Sequence, residues 1–353
     1  MIKFFRNILI FVLCVAIIQC SLCILVDPFN VFHPFSVRDN GVEPAKNYIK
    51  MKYIISSNNF DAFLFGSSRV GNIHTENISN VSCYNMTYSC GTPVEHLRNI
   101  KTLISNGIVP KHIYIGLDHS SYMEDYEKHD SSELQSSYEY SLSSPFRFWI
   151  KYFSPSSVGS ALTDVMIPYL FDNHPLGSSY QDIFYKYGWN YDYNFNSGNI
   201  IYNSSDKISA NKTFITNFSW DATSATTRYG NMQQTLDAIE EIVNICEDYD
   251  ITLTIFTNPT YYELFVEGLS QQYITFLKEL SAITPFYNFS GFNNITTDEK
   301  NYLDISHYNA EIGDLIIKSI CYNQTDAVLL SQGFGVYTTE ENIDYLVNIL
   351  LNP

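Results

Sequence analysis

Ala62-Phe63-Leu64-Phe65 is followed directly by Gly66-Ser67-Ser68-Arg69, so that a short apolar run ends in a glycine and two serines. Short apolar runs bounded by turn residues are typical of buried strands. A serine on the turn that leaves a parallel strand is exposed at the carboxyl edge of the sheet, where open α/β sheets bind their ligands. The sequence therefore predicts a buried strand that presents Ser68 at a binding edge.

Apolar runs alternate with helical segments along most of the chain. Further strands are predicted at residues 81–86, 112–117, 251–256 and 286–289, and helices at residues 44–57, 92–106, 228–248, 261–281 and 309–321. This alternation favours an α/β fold with a parallel sheet covered on both faces. Residues 120–225 depart from it, because they are rich in Tyr, Ser, Asn and Asp and hold all three tryptophans, with a helical stretch near 145–153. We predict that they form an insertion over one edge of the sheet.

The N-terminus carries a second decisive pattern. Lys3 and Arg6 precede an uncharged run of twenty residues, from Asn7 to Val26. A helix of that length spans roughly 30 Å, the thickness of a bilayer core. The positive-inside rule places the two cations in the cytoplasm, so residues 1–26 are predicted to be a stub and single-pass anchor and residues 27–353 a periplasmic or extracellular domain. Two alternatives stay open: a cleaved signal peptide, although its apolar core is usually shorter, and lipidation at Cys20, although Gln precedes it.

The composition limits the classes of partner. The chain has 353 residues, with 20 Lys and Arg against 37 Asp and Glu, and a formal net charge of −17. Hydrophobic residues make up 45% of it, which excludes a disordered chain. An acidic chain repels phosphates, so nucleic acid is excluded as the main partner and adhesion to anionic lipid headgroups is disfavoured.

The seven cysteines give no metal signature. Three of them lie in the apolar N-terminal run, where Cys behaves as a small hydrophobic residue. Outside it, Cys83 and Cys90 are close enough in sequence for a small disulfide loop, and unpaired buried thiols are the alternative. The only Cys-x-x-Cys, Cys20-Ser21-Leu22-Cys23, lies inside the apolar run, so zinc or thioredoxin-type sites have little support and no metal is predicted.

A second motif, Asp304-Ile305-Ser306-His307, precedes the last predicted core helix. An Asp three residues before a His can fold back and accept the proton of one imidazole nitrogen. That bond fixes the tautomer and leaves the other nitrogen to take a proton from a serine. The order of the two motifs along the chain predicts a serine of the Gly66-Ser67-Ser68 turn as the nucleophile, His307 as the base and Asp304 as the orienting carboxylate.

With these motifs in this order, the chain resembles the SGNH/GDSL hydrolase superfamily over roughly residues 58–120 and 228–322. The resemblance implies a three-layer α/β/α flavodoxin-like fold without metal or organic cofactor. It implies that the nucleophile is the third residue of Gly66-Ser67-Ser68, which is Ser68. It also implies an oxyanion-hole N–H at a glycine after the second strand, which Gly91 matches. The anchor, the Gly-Ser-Ser opening and the insertion are most similar to the membrane-tethered branch, which includes proteins of lipoteichoic acid D-alanylation and alginate acetylation. That branch implies a membrane-bound O-acyltransferase as partner and an envelope glycan or lipid-linked polymer as substrate.

The third strand ends differently from the superfamily pattern, which is Gly-x-Asn-Asp. Here the segment is Gly116-Leu117-Asp118-His119, and a carboxylate repels a developing oxyanion unless it is protonated or paired. Arg69 is therefore expected to pair with Asp118, either as a structural ion pair or to orient a polar substrate. Replacement of Asp118 by Asn is expected to restore the usual donor without loss of folding. The N–H groups of Ser68 and Gly91 remain as oxyanion donors, and Asn258, after the fourth strand, is a candidate substitute.

Together, these patterns predict a membrane-anchored serine esterase or O-acyltransferase that acts on an extracytoplasmic glycan or lipid-linked polymer. Water as acceptor gives hydrolysis, and a sugar hydroxyl gives transfer. The alternative is a non-catalytic envelope-assembly subunit of the same fold that partners a membrane-bound O-acyltransferase.

Overall fold

The computed structural model describes residues 2–29, 31–32, 46–57, 59–123, 145–167, 170, 191–193, 200–202, 231–266, 270–304 and 306–352. The chain divides into two compact units. The anchor unit comprises Met1–Lys52 and Asp130–Trp189, and the sheet unit comprises Tyr53–His129 and Asn190–Pro353. The predicted insertion at 120–225 is shared between these units, and most of it lies outside the described residues.

Strands and helices alternate in the order that the sequence predicts. The strands are β1 (Ala62–Gly66), β2 (Cys83–Asn85), β3 (His112–Leu117), β4 (Tyr191–Tyr193), β5 (Ile200–Tyr202), β6 (Thr252–Thr257), β7 (Phe286–Asn288) and β8 (Val336–Thr338). The helices are α1 (Ile2–Val26), α2 (Lys46–Ser57), α3 (Pro93–Ser105), α4 (Ser120–Met123), α5 (Pro145–Tyr152), α6 (Pro155–Gly159), α7 (Met232–Asp248), α8 (Tyr262–Val266), α9 (Ser270–Ile283), α10 (Ala310–Tyr322), α11 (Ala327–Ser331) and α12 (Ile343–Leu351).

The sheet unit is built on six strands in the order β2-β1-β3-β6-β7-β8. The first five strands of that order are parallel, which confirms the predicted α/β class with a parallel sheet at its centre. The sixth strand, β8, was not predicted and pairs with β7 in the antiparallel direction, so the sheet as a whole is mostly parallel. The strands β4 and β5 form a separate antiparallel pair.

Two glycines make room for the turn that follows β1. Gly66 and Gly116 are register partners at the carboxyl ends of the neighbouring strands β1 and β3. A Cβ atom on either would lie 2.6 Å or 2.4 Å from Cγ1 of Val70, closer than packed atoms approach. The side chain of Val70 therefore covers both strand ends, and the short 3₁₀ helix Ser68–Asn72 folds back over the edge of the sheet.

Local sequence signals explain the helix boundaries. Thr92 and Glu95 form a capping box before α3, with Pro93 at its first position, as expected for residues 92–106. Helices α8 and α9 lie within the predicted helix at 261–281, and residues 267–269 between them are outside the described part of the chain.

The anchor unit contains the predicted apolar helix. Helix α1 has 25 residues, and by length and composition it can cross a membrane. Helix α5 covers the helical stretch predicted near 145–153. All seven cysteines carry free thiols, Cys83 and Cys90 included.

Candidate active site

The turn after β1 separates the two serines of the Gly-Ser-Ser motif. Ser67 is 3% exposed and its hydroxyl donates to Oδ2 of Asp118 at 2.8 Å, whereas Ser68 is half-buried and opens the 3₁₀ helix. The hydroxyl of Thr87 donates to the carbonyl of Ser67 at 2.9 Å and ties the turn to the end of β2. Ser67 is thus held inward, as the sequence predicts, and Ser68 is the serine available to a substrate.

The loop before α10 is organised by the carboxylate of Asp304. Its Oδ1 accepts the backbone N–H groups of Ser306 at 2.6 Å and His307 at 2.9 Å. The N–H of Leu303 donates to the carbonyl of His307 at 2.8 Å, which closes the loop. Helix α10 then begins after Asn309, whose side chain accepts the N–H of Ile312 at 3.2 Å. The aspartate therefore determines where the imidazole of His307 lies.

The two motifs meet as a hydrogen-bonded chain of three side chains. The hydroxyl oxygen of Ser68 lies 2.7 Å from Nε2 of His307. The other ring nitrogen, Nδ1, lies 2.8 Å from Oδ2 of Asp304. Ser68 and His307 are 239 residues apart in sequence. His307 and Asp304 are both buried, with 4% and 5% of their surface exposed. This geometry allows His307 to take the proton of Ser68 while Asp304 fixes the imidazole tautomer.

The surroundings of Asp304 favour its ionised carboxylate form. Burial by itself would raise its pKa, because a low-dielectric interior disfavours charge. The interaction with His307 and the hydrogen bonds from the backbone of Ser306 and His307 outweigh burial and hold the pKa of Asp304 below its ordinary value. The carboxylate therefore remains an acceptor for the imidazole N–H near neutral pH.

Asp118 forms the predicted ion pair with Arg69. Nη1 of Arg69 lies 2.8 Å from Oδ2 of Asp118, and both side chains are buried. The carboxylate also accepts from the hydroxyl of Ser67 at 2.8 Å, from the N–H of Ser120 at 2.9 Å and from the Ser120 hydroxyl. Burial would raise the pKa of Asp118, but Arg69 and these hydrogen bonds outweigh it and hold the pKa well below its usual range. The pair is consequently structural, with its acceptor oxygens already occupied.

Arg69 also connects the two motifs. Its Nε donates to the carbonyl of Ser306 at 2.9 Å, and its Nη2 donates to the Ser306 hydroxyl at 2.8 Å. Arg69 directly follows Ser68 in sequence, and Ser306 directly precedes His307. The guanidinium of Arg69 therefore links the turn that carries Ser68 to the loop that carries His307. Its planar arrangement of N–H donors favours such paired contacts.

Gly91 is placed against the turn that carries Ser68. A Cβ atom on Gly91 would lie 2.8 Å from the carbonyl oxygen of Gly66, so the backbone packs directly against the end of β1. The preceding Cys90 has a φ of 50°, in the left-handed region, which turns the chain toward β1. Because Ser68 opens a helix, its N–H belongs to the first turn, where no intrahelical partner exists. The N–H groups of Ser68 and Gly91 remain the predicted oxyanion donors.

The structure argues against Asn258 as a substitute oxyanion donor. Its amide nitrogen lies 3.3 Å from the carbonyl of Leu117 and 3.4 Å from Oδ2 of Asp118, and its amide oxygen accepts the hydroxyl of Tyr308 at 3.0 Å. An amide has two N–H donors, and both face these acceptors. Asn258 thus belongs to the scaffold that holds Asp118.

Several polar residues of the site were not predicted from the sequence. Ser306 and Ser120 hold Arg69 and Asp118, and each lies within two residues of a predicted site residue. Asn85 ends β2 and Thr87 follows it at the same edge of the sheet, and the amide of Asn85 donates to the carbonyl of Val70 at 2.7 Å. The signal that would have found them is their position directly after a parallel strand or beside a motif residue. Among the described residues, no cluster of His, Cys, Asp or Glu is arranged to hold a metal ion.

Comparisons with known proteins return no relative: no family model, no curated protein and no solved structure matches this chain.

Proposed function

We propose that this chain is a membrane-anchored serine enzyme of the SGNH type, an esterase or O-acyltransferase. The observation that carries the proposal is the hydrogen-bonded chain in which Ser68 Oγ lies 2.7 Å from His307 Nε2 and Asp304 accepts from His307 Nδ1. A serine, an imidazole and a carboxylate in that order are the parts of a nucleophilic triad.

The triad supports acyl transfer in two steps. Ser68 Oγ attacks the carbonyl carbon of an ester while His307 Nε2 takes the hydroxyl proton. The negative charge on the former carbonyl oxygen is met by the N–H groups of Ser68 and Gly91. As the ester C–O bond breaks, His307 returns the proton to the leaving alcohol and an acyl-serine remains. Water or a sugar hydroxyl then gives its proton to His307 and attacks the acyl carbon. As the bond between the acyl group and Ser68 Oγ breaks, His307 returns that proton to Ser68 Oγ and restores the free enzyme.

The topology supports assignment to the SGNH fold. When β4 and β5 are left out, the parallel strands follow the order 2-1-3-4-5, which is that of flavodoxin-like sheets. Ligands of such sheets bind at the carboxyl edge between the first and third strands. Ser68 follows β1 and Asp118 follows β3, so the proposed nucleophile lies at that edge.

The proposed setting is the outer face of a membrane. Helix α1 anchors the chain with Lys3 and Arg6 in the cytoplasm, so that the site faces an envelope glycan or a lipid-linked polymer. The resemblance of the motifs to the membrane-tethered SGNH branch supports this substrate class and a membrane-bound O-acyltransferase as partner. Hydrolysis and transfer share the acyl-serine and differ only in the acceptor.

Turnover of a generic ester tests the proposal. The full-length chain in detergent should hydrolyse p-nitrophenyl acetate, and Ser68→Ala should abolish this activity. Ser67→Ala is the matched control, because Ser67 is the adjacent hydroxyl but donates to Asp118 inside the protein, so its activity should persist. Absence of turnover by the folded wild-type chain on every ester tried would instead favour the non-catalytic assembly subunit.

A further inference from the structure

The anchor unit holds a second group of helices beside α1. This lateral segment, residues 145–167, comprises α5, α6 and the π-helical turn Ser160–Met166. The side-chain amide of Gln19 in α1 donates to the carbonyl of Phe153. The hydroxyl of Tyr152 donates to Oδ1 of Asp27 at 2.6 Å and to the carbonyl of Cys23 at 3.1 Å. The lateral segment is therefore fixed to the last two turns of α1.

These bonds determine the depth of the lateral segment relative to α1. Lys3 and Arg6 mark the cytoplasmic end, so the apolar run ends at Val26, seven residues after Gln19. At about 1.5 Å per residue, Gln19 lies roughly 10 Å inside the outer end of the run. A side-chain amide at that depth needs a hydrogen-bond partner, because hydrocarbon offers none. Phe153 supplies its carbonyl, so Phe153 lies at the same depth.

The lateral segment exposes three large apolar side chains on its outward side, next to the exposed hydroxyls of Ser156 and Thr163, and it packs further apolar side chains inside the anchor unit. Phe148, Tyr152, Ala161 and Val165 are buried. On the outward side, Ile150, Leu162 and Ile167 are 70%, 40% and 47% exposed. Trp149 and Phe153 stack at 5.8 Å and are half-buried, and aromatic side chains of this kind are enriched at membrane interfaces.

We propose that the lateral segment is embedded in the outer half of the bilayer beside α1, with Ile150, Leu162 and Ile167 against lipid acyl chains. The occupant of this surface is lipid for two reasons. The surface is continuous with α1, whose own apolar side chains are exposed. The lateral segment also lies at the depth of Gln19 within the apolar run. The contact is apolar, so it does not conflict with the net charge of −17. The inference requires α1 to span the membrane and does not depend on the proposed catalytic activity.

Fluorescence quenching by brominated lipids tests the proposal on the full-length chain. Single tryptophans are introduced at Ile150 in the lateral segment, at Phe11 in α1 and at Val328 in the sheet unit, which are 70%, 69% and 55% exposed. Each variant is reconstituted at low protein density into phosphatidylcholine vesicles with or without brominated acyl chains. The three native tryptophans are replaced by phenylalanine in the parent protein, so that each variant carries a single fluorophore.

Ile150→Trp should lose its added fluorescence in the brominated vesicles as Phe11→Trp does, whereas Val328→Trp should retain it. Quenching of Phe11→Trp without quenching of Ile150→Trp would overturn the proposal and indicate a protein-covered surface instead. Absence of quenching at Phe11 would overturn both the membrane span of α1 and this proposal. Ester turnover, measured on the same samples, reports on the triad separately.

Discussion

Replacement of Asp118 by Asn should strongly destabilise the protein, although it brings the sequence closer to the SGNH pattern. Oδ2 of Asp118 accepts from Arg69 and Ser67 at 2.8 Å and lies 3.4 Å from the amide nitrogen of Asn258. Oδ1 accepts from the N–H and hydroxyl of Ser120. An asparagine has only one acceptor oxygen. In either orientation its NH2 group would therefore replace one of the two acceptor oxygens and would face the N–H or O–H donors that this oxygen now accepts.

The magnitude follows from the burial of the pair. The side chain of Asp118 is 0% exposed and that of Arg69 is 7% exposed, so the substitution leaves a buried guanidinium without a counter-charge. Removing one partner of a buried ion pair costs roughly 3–5 kcal/mol. A whole domain is stable by roughly 5–15 kcal/mol, so this loss removes a large part of the free energy of unfolding.

The assay is urea-induced unfolding of the full-length protein in detergent, followed by circular dichroism. Glu241→Gln is the matched control, because it neutralises one carboxylate of the Lys101–Glu241 pair, which has a 2.6 Å separation but side chains 45% and 50% exposed. Exposed pairs contribute about 0.2–1 kcal/mol, so the control should shift the midpoint little. If Asp118→Asn destabilised the protein no more than Glu241→Gln, the structural role of the Arg69–Asp118 pair would be refuted.

Three further predictions concern the triad, its support and its surroundings. Ser68→Ala and His307→Ala should each lower ester turnover by several orders of magnitude, and the double variant should be little worse in steady-state kinetics, because the two groups act as one unit across 2.7 Å. Ser306→Ala removes the hydroxyl that accepts from Arg69 and should lower kcat about tenfold with KM unchanged, because His307 is less well oriented; an unchanged kcat would argue against this role. Burial lowers the pKa of His96 from 6.5 to about 4. Between pH 6.5 and about 4, His96 is therefore more protonated in the unfolded chain than in the folded protein, and the free energy of unfolding falls as the pH falls. His96→Gln should flatten this pH dependence of the urea midpoint, and an equal slope in both proteins would show that His96 does not cause it.

The features that could be predicted from the sequence are those determined by neighbouring residues. The first strand is visible because its side chains are all apolar and it ends at Gly66. The loop around Asp304 and His307 is visible because a three-residue spacing is enough for the carboxylate to reach the backbone and ring of the histidine. The choice of Ser68 over Ser67 came from the resemblance to the SGNH pattern, and in the structure Ser68 is the serine that lies next to the imidazole.

The features that could not be predicted depend on contacts between distant parts of the chain. Strand β8 has only three residues, too few for an alternating pattern, and it exists through antiparallel pairing with β7. The role of Arg69 as a link to Ser306 joins residues 237 apart. The destabilisation now expected for Asp118→Asn differs from the sequence-based expectation of retained folding, because the donors to Asp118 come from the turn after β1, from its own loop and from Asn258 after β6. Asn258 was a plausible donor until the position of Tyr308 and the acceptors of its amide were known.

Labelling with a fluorophosphonate probe tests the central claim most directly, because the reagent reacts with a serine only when a neighbouring base activates it. The full-length protein should form one covalent adduct, which peptide mass mapping should place on Ser68. Ser67→Ala should still be labelled, and Ser68→Ala should not. An unlabelled wild-type protein whose fold is intact, or an adduct that persists in Ser68→Ala, would contradict the account.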